Sequence, residues 1–346
     1  MHKHQTHATS ARNAVLGLLL GAATFTGPAE AGAPWLSFDA GGWSTRPLAI
    51  NARSDIAGVY FDFVDVSHGF LRTGDGAVTT FDPPDATFGT VANCLNGKGE
   101  IAGAYSFFDN DGNEYSNGFV RHPDGTFEEF NVGGLRSVGV LAMNNSGSVV
   151  GYAENDSNSE IAFLRRKNGT VTMLLTNFEE SSANDINTAG EIVGNYLHHG
   201  VWHGFIREPD GHRIMFDPPG SIYTYAVKIN DSGEIAGSYL TSDYGYHGFL
   251  REPDGAFATF DIAGAKTRTG PDITGIDPDG NIVGSYSDQN FYDQGFVRDH
   301  AGNIHFVTVP GEISTHISGI SRQGKLTGFD SDAHGFRGYP KVWQRQ

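Results

Sequence analysis

Short runs of apolar and alternating residues, each about the length of a strand, follow one another along nearly the whole chain. Tyr225 to Ile229, Glu234 to Tyr239, His247 to Arg251 and Ala256 to Asp261 form one set of four. Each run is rich in β-branched and aromatic residues and is bounded by Gly, Asn, Asp or Pro, the pattern of a strand between tight turns. No window carries a convincing helical stripe. The first and second runs are joined by Asn-x-x-Gly, as in Asn96-Gly97-Lys98-Gly99 and Asn187-Thr188-Ala189-Gly190. The third and fourth are joined by Asp-Gly or Asn-Gly, as at Asp75-Gly76, Asp124-Gly125, Asn168-Gly169, Asp210-Gly211 and Asp254-Gly255. In such turns Asn or Asp caps the backbone and Gly takes the positive-φ position that closes a hairpin.

The set of four recurs. Its second run carries a glycine at Gly58, Gly103, Gly151, Gly194, Gly237, Gly284 and Gly328, at spacings of 45, 48, 43, 43, 47 and 44 residues. Four antiparallel strands repeated at this period describe the blade of a β-propeller. The expectation is therefore an all-β, seven-bladed propeller in one domain over 32–346. Its blades would span about 45–85, 86–133, 134–180, 181–220, 221–264, 265–311, and 312–346 plus 34–40. The last copy ends without a Phe-Asp strand, but Trp35-Leu36-Ser37-Phe38-Asp39 matches that missing piece. The N-terminal strand of the mature chain is expected to close the last blade and to cover an edge that would otherwise invite pairing.

The phrase Ile-Asn-x-x-Gly-x-Ile-x-Gly, followed by a His-small-Phe tripeptide, resembles the bacterial extracellular repeat family called HAF. Four copies read His68-Gly69-Phe70, His203-Gly204-Phe205, His247-Gly248-Phe249 and His334-Gly335-Phe336. Asn117-Gly118-Phe119, Ile161-Ala162-Phe163 and Gln294-Gly295-Phe296 depart from it. The resemblance covers nearly all of the mature chain. It implies an exported, repeat-built protein and transfers no active-site residue.

Composition narrows the function. Residues 1–31 read as a signal peptide: Lys3 and Arg12 are basic, Ala14 to Thr26 is apolar, and Ala29-Glu30-Ala31 fits a small-x-small cleavage site. A secreted or periplasmic chain cleaved near Ala31 is expected, without membrane insertion. The full chain has a formal net charge of −17, which argues against nucleic acid and anionic membranes as partners. The one cysteine, Cys94, reads as a buried small hydrophobe. A monomer is expected.

Repetition marks the scaffold, so function is sought where the copies disagree. In a propeller the loops joining second to third strands, and the connections between blades, share one face. Both vary in length and content here, and variable loops on a rigid frame are where binding usually resides. The loops span Tyr60 to Ser67, Tyr105 to Ser116, Tyr196 to Trp202, Tyr239 to Tyr246 and Tyr286 to Asp293; the connections add Tyr223, Arg136 and Ala265-Lys266-Thr267-Arg268. Aromatic platforms with polar neighbours suit flat, hydroxylated ligands. The ligand-binding candidates are His198, Trp202, Tyr223, Tyr244, Phe291 and Tyr292. A binding module for a carbohydrate or other extracellular polymer is the leading reading. The alternative is a polysaccharide lyase or hydrolase with His199 as base, Tyr246 as acid and Arg268 neutralising a carboxylate. A protein-interaction scaffold is a third reading.

The recurrent histidines sit at equivalent places on different blades, too far apart to share one ion, so they and the tyrosine just after the repeat glycine read as packing groups. Asp109-Asn110-Asp111-Gly112-Asn113-Glu114 alternates oxygen ligands around a glycine, which would place calcium on Asp109, Asp111 and Asn113. It lacks the later bidentate Glu and the flanking helices of an EF-hand, and no metal or other cofactor is expected. No nucleophile elbow or zinc-protease helix motif occurs.

Overall fold

A computed structural model describes residues 35–266, 270–331 and 334–338. The expected signal peptide and Arg268 lie outside the described residues. All of the regular structure in the described residues is β. β1 (Trp35–Phe38) is the N-terminal strand. The first repeat supplies β2 (Ser44–Ile50), β3 (Ile56–Phe61), β4 (Ser67–Arg72) and β5 (Val78–Phe81); the second supplies β6 (Gly89–Leu95), β7 (Ile101–Phe108), β8 (Glu114–Arg121) and β9 (Phe127–Phe130). Then come β10 (Ser137–Met143), β11 (Val149–Glu154), β12 (Glu160–Arg165) and β13 (Val171–Met173), and β14 (Glu180–Ile186), β15 (Ile192–His198), β16 (Val201–Arg207) and β17 (Arg213–Phe216). The fifth repeat gives β18 (Ser221–Ile229), β19 (Ile235–Thr241), β20 (Tyr246–Arg251) and β21 (Phe257–Phe260), and the sixth β22 (Asp272–Ile276), β23 (Ile282–Ser287), β24 (Asp293–Arg298) and β25 (Ile304–Val307). The last three are β26 (Thr315–Ile320), β27 (Leu326–Asp330) and β28 (Gly335–Gly338).

The sheet topology corrects the expected blade number. Five four-stranded sheets stand as separate blades, not seven, and the strands of the first two repeats form a single eight-stranded sheet. The join is a parallel bridge between Ser67 at the start of β4 and Gly89 at the start of β6. The approach is close: a side chain on Gly89 would stand 2.5 Å from the Ser67 hydroxyl, which would have to turn aside. Counting repeats is thus not counting sheets. β1 pairs antiparallel with β28, Trp35 opposite Gly338 and Phe38 opposite Gly335, and completes the sheet β1-β28-β27-β26. Trp35 packs edge-on against Phe336 with ring centres 5.2 Å apart.

The repeated letters have physical reasons. Every first strand carries a register shift, for example between Ala226 and Lys228. The shift pushes a main-chain carbonyl toward the second strand, and a Cβ on Gly237 would collide with the Tyr225 carbonyl oxygen. The same clash awaits a side chain at each of the other six repeat glycines. The tripeptide phenylalanines, Phe70 through Phe336, are all fully buried. The histidine before them ties the third strand to the Asp after the fourth: Nδ1 of His68, His203 and His247 lies 2.7, 2.7 and 2.6 Å from Asp82, Asp217 and Asp261. Its ring rests on the repeat tyrosine, at 5.1 Å for Tyr60–His68 and 5.2 Å for Tyr196–His203.

Between repeats, two devices recur. The Asn of the turn donates from Nδ2 to the main-chain carbonyl of its counterpart in the next repeat: Asn51 to Asn96, Asn96 to Asn144, Asn144 to Asn187, Asn187 to Asn230 and Asn230 to Asp277, at 3.1–3.3 Å. Asp277 has no amide to pass on, and Ser321 takes the position in the last copy. There the seam to the first repeat is carried by Lys325, which donates to the Ser54 hydroxyl at 2.7 Å, and by Arg337, which donates to the Ser54 carbonyl at 3.0 Å. The second device is an arginine at the end of the third strand stacked on the Phe of the preceding repeat, as for Arg72 over Phe38 and Arg121 over Phe81 at 4.9 and 4.8 Å.

Candidate functional site

The first strands β2, β6, β10, β14, β18, β22 and β26 line one central channel of about 230 Å³. It holds little reactive chemistry. Cys94 is buried, and burial pushes its thiol up to about 12, so it is not a nucleophile. Asp185 accepts the Ile229 N–H at 3.0 Å. The mouth on the Asn-turn side is crossed by Arg322, which pairs with Asp231 and donates to the Thr188 hydroxyl at 3.3 Å.

The opposite end carries the second-to-third loops and the connections. Among the described residues, the exposed large apolar side chains fall in two groups. Trp43, Phe63, Val64, Phe88, Phe108, Tyr244, Phe291, Tyr292 and Ile313 lie on this loop face, whereas Leu36, Val78, Met215 and Phe306 lie on outermost strands. None lies on the face of the Asn-x-x-Gly and Asp-Gly turns.

Backbone geometry presents these side chains. The loop from Thr241 to Gly245 closes with Tyr244 N–H donating to the Thr241 carbonyl at 2.9 Å and Thr241 N–H to that of Gly245 at 3.0 Å. The loop at Asp288 closes in the same way through Phe291 and Tyr292. Tyr244 and Phe291 thereby sit at φ +63° and +67°, the left-handed region, with Tyr244 59% and Phe291 73% exposed. A bulky residue held there is strained and marks a candidate functional position. Lys266 lies over the Phe291 ring.

The other candidates fall into two clusters. His198, at the end of β15, lies against His199 with ring centres 4.0 Å apart and planes tilted by 39°, and meets Phe178 edge-on at 5.5 Å. The Glu179 carboxylate accepts the N–H groups of His199 and Gly200 at 2.9 and 3.3 Å and fixes that hairpin. Trp202 follows on β16 opposite Leu197. In the fifth repeat, burial and then the neighbouring phenols of Tyr246 and Tyr223 push the Tyr225 hydroxyl up, so these three side chains share one locality. Among the described residues no hydrogen bond or ring contact joins His199 to Tyr246, and Arg268 lies outside them. Asp109 and Asn113 are engaged with each other. Asp109 Oδ1 accepts the N–H groups of Asp111 and Asn113 at 2.9 and 2.8 Å, and the Asn113 amide donates to Oδ2 at 3.1 Å. The Asn113 amide first, and then the Asn113 main chain, hold the Asp109 carboxyl below the ordinary carboxylate range.

Sequence reasoning passed over Trp43, Phe63, Val64, Phe88, Phe108 and Ile313. A signal existed for the second and third, since Asp62-Phe63-Val64-Asp65 places two large apolar residues inside a turn. Sequence reasoning named Arg136 and the loop from Tyr105 to Ser116, but not the cleft of about 540 Å³ that Glu114, Ser116 and Arg136 line between the second and third repeats.

No protein-family model matches the sequence, and no curated protein does. Solved structures do. Virginiamycin B lyase from Staphylococcus aureus is similar at 10% identity over 88% of this chain and 97% of that one, with a TM-score of 0.59. A streptogramin B lyase is similar at 14% identity over 88% and 96%, with a TM-score of 0.58. The β-propeller domain of the Trilobed protease from Pyrococcus furiosus is similar at 12% identity over 83% and 91%, with a TM-score of 0.57. At such identities the likeness establishes the β-propeller fold and carries no chemistry across.

Proposed function

We propose that the chain is an exported HAF-type repeat protein whose loop face binds a carbohydrate or other extracellular polymer. The observation that carries this reading is the pair Tyr244 and Phe291, aromatic side chains held exposed at turn positions that glycine fills more cheaply. Flat, presented rings on the loop face that also carries His198, Trp202 and Tyr223 suit the apolar faces of sugar rings, while the acidic chain favours neutral over polyanionic polymers. A lyase reading needs a base, an acid and a cation around one substrate atom. The solved structures of similar fold include lyases acting on other compounds by name, but among the described residues no hydrogen bond or ring contact joins His199 to Tyr246, and binding without turnover is the reading we favour. The test is a glycan array run beside an assay for new ultraviolet absorbance from unsaturated uronates. Binding to a polymer that is lost in Tyr244→Ala with Phe291→Ala supports the reading. Silence on the array sinks it, and absorbance growth replaces it with the lyase.

A further inference from the structure

The cleft between the second and third repeats has the marks of a built polar site. It lies at the loop-face ends of β7, β8, β10 and β11. Arg136 is anchored by its main chain, with its N–H donating to the Glu154 carbonyl at 3.1 Å and its own carbonyl accepting the Ser116 N–H at 3.2 Å. Its Nε donates to the Glu114 carbonyl at 3.4 Å. Among the described residues neither Arg136 nor the Glu114 carboxylate forms an ion pair. A guanidinium and a carboxylate therefore line one cleft without an ion pair between them. Ser106, Ser116 and Asn158 add two hydroxyls and an amide to its lining.

One rim is aromatic. Phe108 sits opposite Glu114 in the β7–β8 register and meets Phe88 edge-on at 5.0 Å, with both rings about half exposed. A ring ledge beside a carboxylate and a guanidinium is the equipment for a pyranose. The ledge takes the apolar face, the Glu114 carboxylate accepts from hydroxyls, and the guanidinium donates to neighbouring oxygens. We infer that this cleft is a subsite for a neutral hexose oligosaccharide, an assignment that rests on the carbohydrate reading above. Charge selects within that class. A uronate would enter against the Glu114 carboxylate. Arg136 opposes an amino sugar in the same way.

The experiment is calorimetric titration of the mature chain with neutral, uronate and amino-sugar oligosaccharides, repeated on Arg136→Ala, Arg136→Lys and Glu114→Gln. All three substitutions spare the main-chain bonds that build the cleft, and thermal melting checks that each variant folds. Neutral oligosaccharides are expected to bind the parent chain, with affinity lowered about tenfold in Arg136→Ala and Glu114→Gln and less in Arg136→Lys. Neutral-sugar binding within about twofold of the parent in both of those variants overturns the cleft while leaving the loop-face reading intact. Preference for uronates or amino sugars overturns the class. Failure of every glycan overturns this inference together with the reading it rests on.

Discussion

The two faces of the molecule use one turn in two ways. On the face of the repeated turns, thirteen hairpins close with the same pair of main-chain hydrogen bonds, and glycine takes the left-handed position in all but one, where Ser54 sits. On the loop face, five second-to-third loops close with that same pair of bonds. Their left-handed positions hold Asp65, Gly112, Asn158, Tyr244 and Phe291. The backbone demand is identical, so the difference lies in what the side chain is for. Where only the hairpin matters, glycine satisfies it without strain. Where a bulky ring is kept at a cost of about 1–2 kcal/mol, the side chain must do something outside the hairpin.

If the repeated face is scaffold, damage there must unfold the protein. The largest effect is expected from removing Trp35–Asp39. That deletion leaves β28 with a bare edge and strips Phe336 of Trp35 and Arg72 of Phe38. A loss of about 4 kcal/mol and a tendency to associate are expected in chemical denaturation and light scattering. An unchanged melting temperature would refute closure by β1. Gly237→Ala comes next. The new methyl would meet the Tyr225 carbonyl oxygen and the buried Phe249 ring, neither of which can yield, and about 3 kcal/mol is expected to be lost.

A matched pair of asparagines sharpens the comparison. Asn230 and Asn155 both cap their turns, each accepting N–H groups two and four residues on at 2.9–3.1 Å. Asn230 is buried and also donates to Glu234 at 2.5 Å and to the Asp277 carbonyl in the next repeat at 3.1 Å. Asn155→Ala on the loop face is expected to cost about 1 kcal/mol, the value of a cap. Asn230→Ala on the scaffold face should cost about 3 kcal/mol, because buried partners are left unsatisfied as well. Equal costs in denaturant titrations would mean that the asparagine staples between repeats contribute nothing.

This pair also marks what could be read without coordinates. The period, the strand order and the glycine-closed turns are local, and local pattern shows in sequence. The closing role of β1 was legible because Phe38-Asp39 repeats a motif that the last copy lacks. The fusion of the first two repeats was not, since Gly89 looks like any connection glycine until Ser67 is beside it. Nor were the staples legible: Asn96 and Asn144 are 48 residues apart, and only the ring brings the amide of one to the carbonyl of the other. The loop face was legible as a place, through Tyr244, Tyr223 and Phe291. Its internal geometry was not, because the convergence of Arg136 with Glu114 depends on how neighbouring repeats pack.

The smallest expected stability change tests the comparison most directly, because its sign is unusual. Tyr244→Gly and Phe291→Gly each relieve a left-handed residue and each add unfolded-state freedom worth about 0.5–1 kcal/mol. Those terms nearly cancel, so stability should stay within about 1 kcal/mol of the parent chain although a large aromatic has been deleted. The reverse exchange on the scaffold face, Gly233→Tyr at φ +83°, should lose about 1–2 kcal/mol at the same type of turn. If the aromatics are there to bind, the two glycine variants must weaken polymer binding while folding as well as before. A clear loss of stability in Tyr244→Gly would instead make that ring part of the frame, and the contrast between the faces would then be one of degree.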